Sequence, residues 1–105
     1  HCGRLPATLL PGMVRAQFAR DALMAQTLLR DASRGAVLLA GNGHVRRDIG
    51  VPRWFTGVAP QRVWSVGFLE TPDAAASSGL FDAVVLTPPA TRDADPCDQV
   101  SEPRR

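Results

Sequence analysis

The stretch AVLLAGNGHVRRDIGVP, residues 36–52, joins a short apolar run to a glycine-rich turn, a histidine and two arginines. Residues 36–40 are apolar and do not alternate with polar residues, which is typical of a strand covered on both faces of a parallel sheet. The four residues that follow are Gly41, Asn42, Gly43 and His44. Ligands of such sheets bind beyond the carboxyl ends of the strands. We therefore predict that these four residues form a binding loop at the rim of the sheet.

The segments around this stretch predict the rest of an α/β unit. Residues 13–31 carry apolar side chains three and four apart without proline or glycine, which indicates one long helix. Residues 62–70 and 82–87 indicate two further strands. A short helix is expected within residues 51–58, because Pro52 suits a first helical position. The predicted fold class is α/β, with a partial, mostly parallel sheet of about three strands, one long helix and a short helical connector.

Length and composition limit the chain to one small unit. The 105 residues carry a net charge of +2, and all twelve basic residues are arginine. We divide the chain into a connector (1–12), the long helix (13–31), an α/β core (36–87) and a polar tail (88–105). No run of about 18 apolar residues occurs, so no membrane span is expected. Basic tracts with interleaved aromatic residues are also absent, so nucleic acid is not an expected partner.

His44 admits three interpretations from the residues alone. A histidine after a strand can serve only to hold a loop by hydrogen bonding. A neutral imidazole can instead bind a metal or haem iron, with Arg46 and Arg47 as partners for carboxylates. It can also hold a metal whose bound water attacks an ester or peptide bond. Arg46 and Arg47 have a plain alternative as a solvated loop with one internal ion pair, worth little if exposed.

The long helix carries a polar pair on an otherwise apolar face. Asp21 shares that face with residues three and four positions away, and Arg20 lies at its edge. Arg20 and Asp21 either tether loops by hydrogen bonds or border the pocket of His44. We keep both as candidate site residues.

Five ordered blocks resemble the ChaN-like branch of the Tiki/TraB superfamily, which contains haem-binding bacterial proteins associated with iron uptake. The blocks are HCGRLP (1–6), AQFARDALMA (16–25), LLAGNGHVRRDIGVPRW (38–54), SVGFLE (65–70) and DPC (95–97). The motif Gly-x-x-His at residues 41–44 would be weak evidence alone, whereas five blocks in the expected order are fairly specific.

The resemblance implies a haem- or iron-binding component of an uptake system, with a small-molecule ligand near Gly41, Asn42, Gly43 and His44 and a metal on His44. It implies a bacterial periplasmic or outer-membrane protein, held by a lipid anchor outside this chain. It also implies that these residues are the C-terminal part of a single domain whose first strands lie upstream. The family's tyrosine-based haem ligation has no counterpart here, because the chain has no tyrosine. The alternative is a metal-dependent hydrolase that uses a divalent cation.

Two further expectations depend on this resemblance. Cys2 and Cys97 lie near the two ends of a chain implied to face an oxidising compartment, so we predict one disulfide between them, against the alternative of two free thiols. If the first strands are upstream, an apolar strand edge within residues 36–40 or 63–69 lacks its neighbour. Self-association, including a homodimer, is then expected of the isolated chain.

Overall fold

The computed structural model describes residues 5–70, 79–91, 93–95 and 97–98. Its two α-helices are α1 (Leu10–Asp31) and α2 (Asn42–Val45), and its two strands are β1 (Val66–Leu69) and β2 (Ala83–Leu86). Four short 3-10 turns lie at Ala7–Leu9, Ala32–Arg34, Val51–Trp54 and Pro60–Arg62. Most of the predicted loop at residues 71–79 lies outside the described residues.

Helix α1 is the long helix that the apolar spacing predicts, and it begins three residues earlier than expected. Pro11 lies in its first turn, where the missing N–H costs no helical hydrogen bond. The helix gives way to a 3-10 turn that ends at Gly35, whose φ of 83° favours glycine. Asp21 and Ala25 are its buried residues. The helix therefore presents one narrow face to the rest of the molecule.

That face packs against the Val51–Trp54 turn, where the sequence predicted a short helix within residues 51–58. Val51 is 2% exposed, and the rings of Phe18 and Trp54 lie with their centroids 6.4 Å apart. Pro52 occupies an early position of this turn, as expected. This contact sets the position of α1 relative to the segment that follows α2.

Strands β1 and β2 form a parallel pair, in the register Val66↔Ala83 to Leu69↔Leu86. Phe81, which precedes β2, is 7% exposed and lies over Gly67 of β1. A Cβ atom on Gly67 would approach that ring to 2.9 Å, so a residue without a side chain is required there. The α/β class with one long helix is confirmed.

The predicted number of strands is wrong, because the described part of the chain contains two strands and not three. Residues 36–40, predicted as a covered strand, have no regular secondary structure and make no backbone hydrogen bond to the other described residues. Val37 and Leu39 are 87% and 91% exposed. The apolar composition of this segment is that of a buried strand, but among the described residues no strand lies beside it to accept its hydrogen bonds.

The buried apolar core is small and comprises Ala25, Val51 and Phe81 within the described ranges. No described helix is long and apolar enough to cross a bilayer. At the C-terminal side, Cys97 belongs to a disulfide, and its backbone N–H donates to Asp95. Cys2 lies outside the described residues, so the pairing of Cys2 with Cys97 stays a prediction.

Candidate functional site

Three of the four residues predicted as a binding loop, Asn42, Gly43 and His44, lie in the single helical turn α2, and Gly41 precedes it. Gly41 is extended, and its carbonyl accepts a 2.9 Å hydrogen bond from the N–H of His44. Neither glycine of this motif has positive φ, and a Cβ atom on either would meet nothing within 4 Å. The two glycines therefore keep this turn narrow and open to solvent.

Asn42 ties the turn to the free edge of β1. Its side-chain amide donates to the carbonyl of Phe68 at 2.7 Å, and its Oδ1 accepts from the Phe68 N–H at 3.3 Å. The carbonyls of Ser65 and Leu69 accept bonds from residues at the ends of β2, so alternation turns Phe68 to the opposite edge. Asn42 thus takes the place of a neighbouring strand at one residue, which fixes α2 against the sheet.

His44 and Asp21 are in contact at the centre of the site. The Nδ1 atom of His44 lies 2.6 Å from Oδ1 of Asp21. The Asp21 side chain is 5% exposed, whereas the His44 side chain is 26% exposed. Within the described ranges Nε2 of His44 makes no hydrogen bond. The pair therefore has a buried carboxylate behind the ring and a second ring nitrogen without a partner in the described part of the chain.

Both arginines after the turn are held by carboxylates. Arg46 forms a two-point contact with Asp48, at 2.8 and 2.5 Å, on the exposed side of the segment. Arg47 contacts Asp82 at 2.8 and 2.6 Å and donates to the carbonyl of Val63 at 2.6 Å. Arg46 therefore forms the internal ion pair expected of a solvated loop, and Arg47 links the segment to the sheet.

Asp82 and Ser65 complete this link, and the sequence analysis did not select either residue. Asp82 accepts from the Ser65 N–H at 2.7 Å, and the Ser65 hydroxyl donates to the carbonyl of Val45. The hydrogen bond from Arg47 lowers the pKa of the Asp82 carboxyl. Burial opposes this effect, and the Ser65 N–H adds a smaller lowering. In the sequence, Ser65 and Asp82 are recognisable only as the polar residues that precede the apolar runs of β1 and β2.

Gly50 is a third residue of the site that the sequence pattern did not indicate. It is buried, and its N–H donates to the carbonyl of Arg46 at 2.9 Å. A Cβ atom there would collide with the carbonyl group of His44. The backbone of the His44 turn thus rests directly on Gly50.

Arg20 differs from the other candidate residues. It is exposed on α1, next in sequence to Asp21, and in the described part of the chain it makes no hydrogen bond or ion pair. The contacts therefore connect His44, Asp21 and Asn42 to one another and to the sheet. Arg20 lies on the same helix as Asp21, and its positive charge has no partner among the described residues.

An apolar groove of about 790 Å³ lies beside the turn. Residues 35–40 form part of its wall, together with the end of α1 and the edge of β1. Asn42 and Val45 line it from α2, whereas His44 does not. This volume lies within the range of small-molecule pockets. Arg62 is the one charged residue among its lining residues.

The described residues contain no group of three or more histidine, cysteine, aspartate or glutamate side chains placed to hold a metal ion. His44 and Asp21 are a pair. A metal bound through His44 therefore takes its remaining ligands from a cofactor, from solvent or from residues beyond the described ranges.

The model of the family described as "Haem-binding uptake, Tiki superfamily, ChaN" matches residues 1–55. The chain belongs to this family. Neither a curated protein nor a solved structure matches it.

The residues matched to the ChaN family include the helical part of the site. They contain α1, α2 and the Val51–Trp54 turn, and so both Asp21 and His44. Strands β1 and β2 lie beyond the match, as do the last two blocks of the resemblance, residues 65–70 and 95–97. The match therefore covers the two elements of this chain that carry Asp21 and His44.

Proposed function

We propose that this chain binds haem for iron uptake, with the iron on Nε2 of His44. The observation that carries the proposal is Nε2 of His44, which has no hydrogen-bond partner among the described residues, in a chain whose family is described as haem-binding uptake. A neutral imidazole is a common axial ligand of haem iron. The bound haem would supply the iron, and the protein would supply the ligand nitrogen and the surface around it.

Two features near His44 support the proposal, although His44 itself does not line the groove. The groove beside α2 supplies an apolar surface, which a porphyrin face requires, and Asn42 and Val45 connect it to the turn of His44. Arg20 has no hydrogen bond or ion pair to another described residue, so its guanidinium could donate to a propionate. Ligation by a tyrosine is not open to this chain, because it has none.

An uptake role agrees with a place in the bacterial periplasm or at the outer membrane, through a lipid anchor outside this chain. Fractionation of cells that express the full-length protein tests this part of the proposal. Recovery with the cytoplasmic fraction would contradict it.

Haemin titration followed by the Soret band tests the proposed ligand. His44→Gln is expected to weaken haemin binding at least tenfold, about 1.4 kcal/mol, because it removes the iron ligand. His1→Gln is the matched control, since His1 is the only other histidine in the sequence, and it should bind haemin as the unsubstituted chain does. Equal affinities for both variants would contradict the assignment of His44.

A turnover assay on the same protein distinguishes haem binding from the alternative function, metal-dependent hydrolysis. Ester or peptide turnover with added zinc or manganese, abolished by a chelator and by His44→Gln, would replace haem binding as the function of this site. A Soret shift without turnover supports the uptake role.

A further inference from the structure

We infer that Asp21 is a positioning residue, which holds His44 in the tautomer with the proton on Nδ1 and so makes Nε2 the ligand atom. This inference rests on the proposed function, since it names which atom of His44 meets a ligand. It also changes the expected role of Asp21, from a residue that touches the ligand to one that acts through the histidine.

The geometry of the pair supports this assignment. The 2.6 Å separation between Nδ1 and Oδ1 is a short, charge-assisted hydrogen bond. An ionised carboxylate can only accept, so the shared proton belongs to Nδ1. The neutral ring then has an unprotonated Nε2, which is the form that binds a metal.

The buried position of Asp21 restricts the orientation of the His44 ring. Its side chain is 5% exposed and lies on α1, which is a long and regular element. His44 lies on α2, which Asn42 attaches to β1 and which rests on Gly50. The carboxylate and the ring are therefore held from two separate elements, so the ring plane is fixed as well as the tautomer. Ligating histidines in proteins are commonly oriented in this way by a carboxylate behind the ring.

Direct ligation by Asp21 is the alternative, and its burial opposes it. Asp21 is more buried than His44, and its Oδ1 already faces the ring. A ligand that approaches from solvent reaches the partly exposed imidazole, whereas the carboxylate stays behind it. Asp21 therefore supports the ligand atom and does not supply one.

The test is ¹⁵N NMR of the histidine rings in the ligand-free chain, which reports directly which nitrogen carries the proton. His44 should show a protonated Nδ1 and an unprotonated Nε2, with the His1→Gln variant used to assign its signals. Asp21→Asn should convert this single form into a mixture, since an amide can face Nδ1 with either its oxygen or its NH₂ group. Asp31→Asn, at an exposed residue of the same helix, is the control and should leave the tautomer unchanged.

Haemin titration of the same variants completes the test. Asp21→Asn is expected to weaken binding between about tenfold and a hundredfold, the usual effect of losing the group behind a ligating histidine. A wild-type ring protonated at Nε2, or an Asp21→Asn ring with an unchanged tautomer, would overturn the inference. Failure of the unsubstituted chain to bind haemin would instead refute the proposed function, and the tautomer measurement would still decide the role of Asp21.

Discussion

At the scale of single residues, the site depends on a glycine that lies outside the Gly-x-x-His motif. Gly50→Ala is expected to lower the free energy of unfolding by a few kcal/mol and to weaken haemin binding, because its Cβ would collide with the His44 carbonyl group. Gly43→Ala is the matched control, since a Cβ there meets nothing within 4 Å. Urea unfolding of both variants checks this. Equal losses at the two positions would show that the backbone contact does not support the turn.

The His44–Asp21 pair should also be measurable as a coupling in stability. His44→Ala leaves the buried carboxylate of Asp21 without its hydrogen bond, which costs about 1–3 kcal/mol. Asp21→Ala removes the same bond from the other side. The double variant should therefore lose less stability than the sum of the two single variants, by at least about 0.5 kcal/mol. Strict additivity would mean that the contact contributes nothing in solution.

The sequence could predict some of these residues and not others, for a physical reason. The Gly-x-x-His motif and the polar pair on α1 stand out against apolar surroundings, so His44 and Asp21 could be selected. Their contact spans 23 positions in sequence, and no local pattern determines such a pairing. Gly50 and Ser65 act through contacts with the backbone of the turn, which the sequence does not display at all.

At the scale of secondary-structure elements, the segment after α2 is joined to the sheet by the Arg47–Asp82 pair. Since Arg47 lowers the pKa of Asp82, the folded chain holds this carboxylate more strongly ionised than the unfolded chain does. The stability that results is fully present above the ordinary aspartate pKa of about 3.9 and is lost as the pH falls through the lowered folded value.

Asp82→Asn should therefore reduce stability near neutral pH by about 1 kcal/mol, a modest loss because solvent screens a partly exposed pair. The difference from the unsubstituted chain should shrink as the pH falls below the ordinary aspartate value. Asp48→Asn is the comparison at a more exposed pair: Arg46 also lowers the pKa of Asp48, so the same trend with pH is expected, with a smaller loss because solvent screens this pair more. Urea midpoints measured across the acid range check this, and a difference that grows on acidification would contradict the assigned direction.

Helix α1 could be predicted from the local sequence pattern, whereas the strand expected at residues 36–40 depends on a neighbouring strand. The repeat of apolar residues was sufficient for α1, because a helix forms its hydrogen bonds within itself. Residues 36–40 have the composition of a strand, but a strand needs a partner for its N–H and C=O groups. Pairing is a property of the surroundings, and this is why the predicted third strand is absent from the described sheet.

At the scale of the whole molecule, the first prediction concerns the two cysteines. Cys97 belongs to a disulfide, and Cys2 is the predicted partner. Titration of the unreduced, denatured chain should find no free thiol, and reduction should lower the melting temperature, since a loop of roughly 95 residues would stabilise by about 4–5 kcal/mol on the chain-entropy model. Two reactive thiols before reduction would refute the pairing, and Cys97→Ser provides the matched comparison.

The last prediction concerns the open edge of the molecule, which should make the isolated chain associate with itself. Val37 and Leu39 are almost fully exposed, and residues 36–40 make no backbone hydrogen bond within the described ranges. An exposed apolar segment whose N–H and C=O groups are unpaired tends to pair with the strand of another chain.

Substitution of Leu39 by lysine should shift the chain toward monomer, because a charged side chain blocks pairing along this segment. Leu23→Lys is the matched control: Leu23 is also exposed, at 63%, but it lies on α1, whose backbone is already hydrogen-bonded. Sedimentation at several protein concentrations measures the result. A concentration-independent monomer for the unsubstituted chain would show that residues 36–40 remain solvated without a partner, and an equal effect of both lysines would assign the association to general apolar contact instead of strand pairing.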